Sequence, residues 1–380
     1  MAVTIRVDCE AITRLSEHLR EAWNDYFWTY RSCRRKIRFT DEEKTNYFSD
    51  LINYFDDITR LLSTFRIQDN YRAALYDATA VLQLMYIQQD LVDEMLTIFK
   101  LPQSSSDEKT LIRELRNELI GHPISRDKSE NLISSVFITA ETKGERLEYV
   151  RYHRDKNFSF DIRSFNWRDI FQWHDKYLKD CLLKIGGAIK EKLIRFQRNL
   201  IKMSEQLPNT PFEKLINWVD QVFETVPKSY PYLYSKESIL TFYRKMDLHP
   251  RYRFVVDKYL SDLKHWLAEV IADIDEFVSN AFNNSVSQSA KTNFENIWNF
   301  ENPDEYSIND ALPTQSIRYE FGKLFEKHEV FGVNYFINVY NDDKELMDEL
   351  ENMKLNIENN SEYYASIEYL RMLFQRRGVL

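Results

Sequence analysis

The sequence predicts a mainly helical bundle, all-α apart from a small β-meander inserted at about 133–163. Three observations carry that expectation. Glycine occurs 7 times and proline 9 times in 380 residues, about 4% together against roughly 12% in an average protein. Few breakers leave long uninterrupted elements, and in a chain rich in Leu, Glu and Lys those are helices. Apolar residues recur at spacings of three and four over most of the chain, the period of a helix with one buried face. Between 134 and 162 that period gives way to alternation, the period of a strand.

Taken in order, Asp8–Lys36 reads as one long amphipathic helix, with Ile12, Leu15, Leu19 and Trp23 on its apolar stripe. Thr40-Asp41-Glu42-Glu43 is a capping box opening a second helix, whose stripe is Leu51, Ile52, Phe55, Ile58 and Leu62. Asn70–Lys100 is the third and most apolar helix, stopped by Pro102. Ser104, Ser105 and Ser106 form a polar break, and Ser105 with Glu108 makes another capping box. The short helix it opens ends near Gly121-His122-Pro123, where glycine followed by proline is a stop signal. Ser134–Glu141, Leu147–His153 and Asn157–Ile162 are the expected strands, with a turn at Thr142-Lys143-Gly144-Glu145. Helix resumes over Trp167–Ser204. Pro208-Asn209-Thr210-Pro211 marks the expected boundary between a domain at 1–205 and a second helical domain at 206–380. The second is punctuated by prolines at 227, 231, 250, 303 and 313 and by polar connections at Asn283–Thr292 and Glu301–Ser316.

Composition narrows the function. The net charge of -9 argues against a protein that coats nucleic acid along its whole surface, which would be basic. Three cysteines, Cys9, Cys33 and Cys181, are an odd number and lack metal-ligand spacing, so a reducing compartment is expected. The opening Met-Ala-Val-Thr-Ile-Arg-Val-Asp has no apolar core of a signal peptide, and no run of about 20 apolar residues exists. A cytoplasmic protein that does not engage a membrane is the expectation. No Walker loop, GxGxxG, HExxH, CxxC or GxSxG occurs, and neither metal nor other cofactor is expected.

What remains is Arg116-Asn117-Glu118-Leu119-Ile120-Gly121-His122-Pro123. An Arg and a His together suit metal-free RNA cleavage. The His passes the proton of a ribose 2′-OH or of the leaving oxygen. The Arg holds the non-bridging phosphate oxygens as charge builds on them. Spacing alone does not select this pair, since Arg146/His153, Arg168/His174 and Arg244/His249 are similarly close. In an unbroken helix Arg168 and His174 point apart, with His174 among Ile170, Trp173 and Tyr177. Arg146 and His153 fall on opposite faces of a strand. Arg244/His249, at a helix end before Pro250, is the best competitor. Arg116 differs in lying inside the apolar stripe of Leu111, Ile112, Leu115, Leu119 and Ile120, where a cation needs a partner. A break at Gly121 would let His122 fold back towards it. Pairing of Arg116 with a buried carboxylate, with His122 as a mere helix end, is the competing structural reading.

An Arg, a polar residue, a few more residues and a His at the end of a helix, in an all-α domain of about 200 residues, resembles the HEPN superfamily. The resemblance spans roughly residues 1–205, with only the eight residues from Arg116 to Pro123 motif-like. It implies a metal-independent endoribonuclease, of the kind found in toxin–antitoxin and antiphage-defence systems, that dimerises so that two motifs face each other. Arg116 and His122 would be catalytic, Asn117 would orient the His or the phosphate, and RNA would be the substrate, with a protein trigger or inhibitor as further partner. Other members lack catalysis and act as binding partners, so a helical interaction or regulatory module is the alternative. Two basic clusters are candidates for RNA contact. Arg31, Arg34, Arg35, Lys36 and Arg38 follow the aromatics Trp23, Tyr26, Phe27, Trp28 and Tyr30. Lys184, Lys190, Lys192, Arg195, Arg198 and Lys202 share one long helix. A solvated helix face is the plainer account of both, and a packed loop that of Ser229–Tyr234.

Overall fold

The computed structural model describes residues 3–4, 9–38, 46–67, 71–103, 105–139, 145–223, 234–282, 313–327 and 332–380. The capping box at 40–43, turn residues 142–144, loop residues 229–233 and the connections at 283–292 and 301–312 lie outside them. So do Ser104 and the prolines at 227, 231 and 303. The chain is mainly helical, with one small antiparallel sheet of four strands. It divides into two compact units, 1–196 with 274–286, and 197–273 with 287–380.

In the first unit a two-residue strand, β1 (Val3–Thr4), precedes α1 (Glu10–Ala22), which continues into a π-turn at Trp23–Phe27. The expected single helix to Lys36 stops there. Tyr30 is extended, and a separate short α2 covers Arg31–Arg34. Trp23, Tyr26, Phe27 and Tyr30 are all buried although their spacing would place them on one face of a straight helix as well. Trp23 packs on Phe48 with ring centroids 4.1 Å apart.

α3 (Tyr47–Ser63) follows, with Phe48, Ile52, Phe55, Ile58 and Leu62 buried at helical spacing. β2 (Arg66–Ile67) pairs with β1, and α4 (Tyr71–Ile98) is the long third helix. α5 (Asp107–Arg116) is capped by Ser106, whose Oγ accepts from the Lys109 N–H at 3.2 Å. The cap is therefore one residue later than the expected Ser105. The meander is β3 (Ile124–Arg126), β4 (Leu132–Ile138), β5 (Arg146–His153) and β6 (Phe160–Asn166), paired in that order. It begins earlier than expected because β3, three residues with a bulge between Ser125 and Arg126, is too short to show a period. Val136, Leu147 and Tyr149 on one sheet face join Ile58, Leu82, Met85, Ile112, Leu115 and Trp167 in a common core. α6 (Trp167–Gln206) runs 40 residues through two glycines. A Cβ on Gly186 would lie 2.4 Å from the ring of Phe282, so glycine there makes room for that ring.

The second unit takes in the end of α6 and a 3-10 turn at Leu207–Asn209, where the sequence placed its boundary. It continues with α7 (Phe212–Val222), α8 (Lys236–Arg244), α9 (Pro250–Asn280, whose residues from 274 on belong to the first unit), α10 (Pro313–Phe325), α11 (Asn334–Val339), α12 (Lys344–Leu355) and α13 (Asn360–Arg376). Leu324, Phe336, Leu346, Leu350, Tyr363, Leu370 and Phe374 form its core.

Candidate functional site

Helix α5 is laid on α4 by a ladder of cations spaced three and four residues apart, hence on one helix face. Lys109 Nζ donates to Asp93 Oδ1 at 2.7 Å. Arg113 donates to Gln89 Oε1 at 3.1 Å and pairs with Asp90. Arg116, the next rung, meets Gln83, whose Oε1 accepts from Nε at 3.1 Å. Its guanidinium carbon sits 4.5 Å from the ring centre of Tyr86, which carries Arg113 at 4.6 Å as well. The ladder runs out of carboxylates at Arg116. Among the described residues no Asp or Glu pairs with this half-buried cation, whose remaining partner is Asn117 Oδ1 at 3.0 Å. A neutral amide and a ring face satisfy part of a guanidinium's hydrogen-bonding and charge demand and leave the positive charge uncancelled.

Past Arg116 the backbone widens into a π-turn over Asn117–Gly121, closed by the His122 N–H on Asn117 O at 2.7 Å. Such turns are rare and recur at functional sites. Asn117 thus touches both motif residues, Arg116 through its side chain and His122 through its carbonyl. The sequence reading gave Gly121 a backbone role as a stop. The helical path does end at Gly121, with His122 the first residue outside it, but without a left-handed glycine: the only glycine with positive φ among the described residues is Gly378. Gly121 is needed for space: a Cβ there would stand 2.7 Å from Arg116 Nη1. The side chain of His122 is exposed, and no hydrogen bond or ring contact joins it to Arg116 among the described residues. The expected fold-back is therefore limited to the shared Asn117.

The sheet holds the turn from the other side. Glu118 Oε2 accepts from Tyr149 Oη at 2.7 Å and Oε1 lies 3.5 Å from Arg151 Nε. Burial, reinforced by that carboxylate, pushes the Tyr149 hydroxyl well above its ordinary range. Pro123 O accepts from the Val136 N–H at 2.8 Å, fixing the chain as it leaves His122 for β3. Leu119 and Ile120 pack against the core.

The other Arg/His pairs are accounted for structurally. His174 is buried and Arg168 exposed. His174 Nε2 lies 2.8 Å from Gln88 Oε1, and burial lowers its pKa to about 3. Arg146 donates to Ser164 Oγ at 2.9 Å, while His153 faces Asp155 at 3.1 Å. Arg244 reaches Glu213 at 3.1 Å, and His249 lies 3.4 Å from Glu349.

In the first basic cluster Arg35, Lys36 and Arg38 are exposed, and Arg31 and Arg34 half-buried. Four of its five neighbouring aromatics are core residues and cannot stack a base. Trp28, half-buried, carries Arg34 at 5.6 Å. Burial first, and with it the charges of Lys100, Arg195 and Lys36, lowers the pKa of Lys192 in the second cluster, against the pull of Glu191. Sequence reasoning missed the ladder from α5 to α4. The ladder's signal was present, in Lys109, Arg113 and Arg116 matched in reverse by Asp93, Asp90 and Gln83.

Among the described residues no group of three or more His, Cys, Asp or Glu side chains could hold a metal ion, and no helix is long and apolar enough to cross a membrane. No family model matches this chain, and no curated protein or solved structure matches it.

Proposed function

We propose that the chain is a metal-independent endoribonuclease of the HEPN type, an effector of the toxin or antiphage-defence kind, acting through Arg116, Asn117 and His122. The observation that supports it is the missing carboxylate. Arg116 is oriented by Gln83, Asn117 and Tyr86 and keeps its positive charge for an anion, and Asn117 O also accepts from the backbone N–H of His122, whose side chain is exposed. In the proposed reaction the 2′-oxygen attacks phosphorus as its proton passes to a base. The bond to the 5′-oxygen breaks as that oxygen takes a proton from an acid, leaving a 2′,3′-cyclic phosphate. Arg116 neutralises the non-bridging oxygens. A homodimer would supply base and acid as two copies of His122.

The alternative, a non-catalytic helical interaction module, draws on the lack of direct contact between His122 and Arg116. One experiment separates the two. Purified protein is incubated with total RNA in EDTA beside Arg116→Ala and His122→Ala. Cleavage by the wild type alone, with cyclic phosphate ends, is the expected result. An active His122→Ala protein, or activity restored only by Mg²⁺, would remove these residues from the chemistry.

A further inference from the structure

One face of the sheet packs on the core, and its other face is covered by nothing among the described residues. Strand register places Phe137, Val150 and Ile162 side by side across β4, β5 and β6, and Tyr152 beside Phe160 in the next row. Ile124 of β3 pairs with Ser135, which pairs with Tyr152. Alternation along each strand sends these side chains to the face opposite Val136, Leu147 and Tyr149. Exposure agrees: Ile124 is 58% exposed, Phe137 55%, Phe160 61% and Ile162 57%. Val150 and Tyr152 are half-buried between them.

We propose that this face is the docking surface for a second copy of the chain. Size is the first argument. At about 200 Å² per large side chain the four exposed residues present roughly 400 Å², and Val150 and Tyr152 add to it. A standard interface takes about 800 Å² from each partner and, between identical chains, is about two-thirds apolar, so about 500 Å² of apolar surface is required. Charge is the second. In a two-fold interface a patch meets itself, so net charge on it would repel. Along β4–β6 the charges on this face are Arg146 and Glu148, one of each sign. They are joined through Ser164, which accepts from Arg146 at 2.9 Å and donates to Glu148 at 2.9 Å. Nucleic acid calls for a basic face, and this one is neutral. Pairing through the β3 edge is a poor substitute, because β3 is short and bulged. The third argument rests on the ribonuclease reading. Ile124 on this face is two residues from His122, so the face lies beside the motif for which that reading requires a second copy.

Sedimentation velocity on the full chain tests the proposal. The wild type is expected to be a dimer at micromolar concentration. Phe160→Glu with Ile162→Glu should be a monomer of unchanged helix content. Phe137→Glu, on another strand, should repeat that result if the double variant misfolds, while Leu61→Glu, on exposed α3, should stay dimeric. A monomeric wild type, or face variants that remain dimers, would overturn the interface. So would face variants of unaltered mass that lose affinity for a single-stranded RNA oligonucleotide, an outcome assigning the face to bases. A dimer disrupted by these variants but inert towards RNA would keep the interface and sink the ribonuclease reading alone.

Discussion

Two arginines, Arg116 in the first unit and Arg251 in the second, are held almost alike and differ in one partner. Arg251 Nη1 donates to Ser366 Oγ at 3.0 Å, and its guanidinium carbon lies 4.9 Å from the Tyr252 ring centre. Arg116 likewise has hydrogen bonds to neutral oxygens and a tyrosine beneath it. But Arg251, 5% exposed, adds a 2.6 Å bond to Glu349, itself 1% exposed. Burial raises the pKa of the Glu349 carboxyl even against the pull of Arg251. A guanidinium so deep requires a counter-charge. Arg116 is half-open, so water meets what Gln83 and Asn117 do not. The two arginines thus differ in burial and in counter-charge together, and Arg116 is the one whose charge no carboxylate among the described residues cancels.

The largest effect expected from that difference is in stability. Glu349→Ala strands a buried cation and should cost about 3–5 kcal/mol. Arg116→Ala removes neutral hydrogen bonds and a ring contact and should cost about 1–2 kcal/mol. Denaturant unfolding, with amide exchange over 344–376 to localise the first loss, measures both. Equal costs would erase the distinction.

A second expectation concerns pH, through a buried group that carries no charge. Gln88 Nε2 donates to Phe55 O at 3.2 Å and to Thr59 Oγ1 at 2.8 Å. Its Oε1 therefore accepts, and His174 Nε2 is the donor. The ring is neutral, with a pKa lowered to about 3 by burial. A depressed pKa means that the unfolded chain binds the proton first. The stability His174 contributes is full above pH 6.5 and is lost as pH falls towards 3. Between pH 6.5 and 5 the slope should approach about 1.4 kcal/mol per unit. Unfolding midpoints over that window measure it, and His174→Gln should flatten the curve. An unaltered slope in the variant would show that other groups carry the dependence.

Long periodic elements were legible in the sequence because burial repeats along them. α4 and α6 begin within a residue of their expected starts and end within two of their expected ends. Elements decided by distant residues were not. The break before Tyr30 leaves no mark in the apolar period, which runs on through positions 23, 26, 27 and 30, and β3 is defined by its hydrogen bonds to β4 more than by its own side chains. At the candidate site, the place of Arg116 on the apolar stripe was readable from the wheel. That its partners are neutral was not, because it depends on how α5 is set against α4. A glycine before His-Pro signals a stop, and the helical path does stop there, but the close fit of Gly121 against a side chain from five residues earlier depends on the folded turn.

Gly121→Ala is accordingly the smallest expected change in stability and the sharpest test of the site. The added methyl would fall 2.7 Å from Arg116 Nη1, the far end of a flexible side chain that is able to move. Alanine in a helical path gains about 0.5–1 kcal/mol over glycine, and a displaced guanidinium loses a hydrogen bond of similar worth. The net effect on unfolding should be within about 0.5 kcal/mol. The guanidinium, however, must leave the position that Gln83 and Asn117 give it. If that position is what receives an anion, the variant should approach Arg116→Ala in RNA cleavage while unfolding like the wild type. Retained cleavage would show that the close fit of Arg116 against Gly121 serves packing. Arg116 would then belong with Arg251 among the structural arginines, with a neutral cradle in place of a carboxylate.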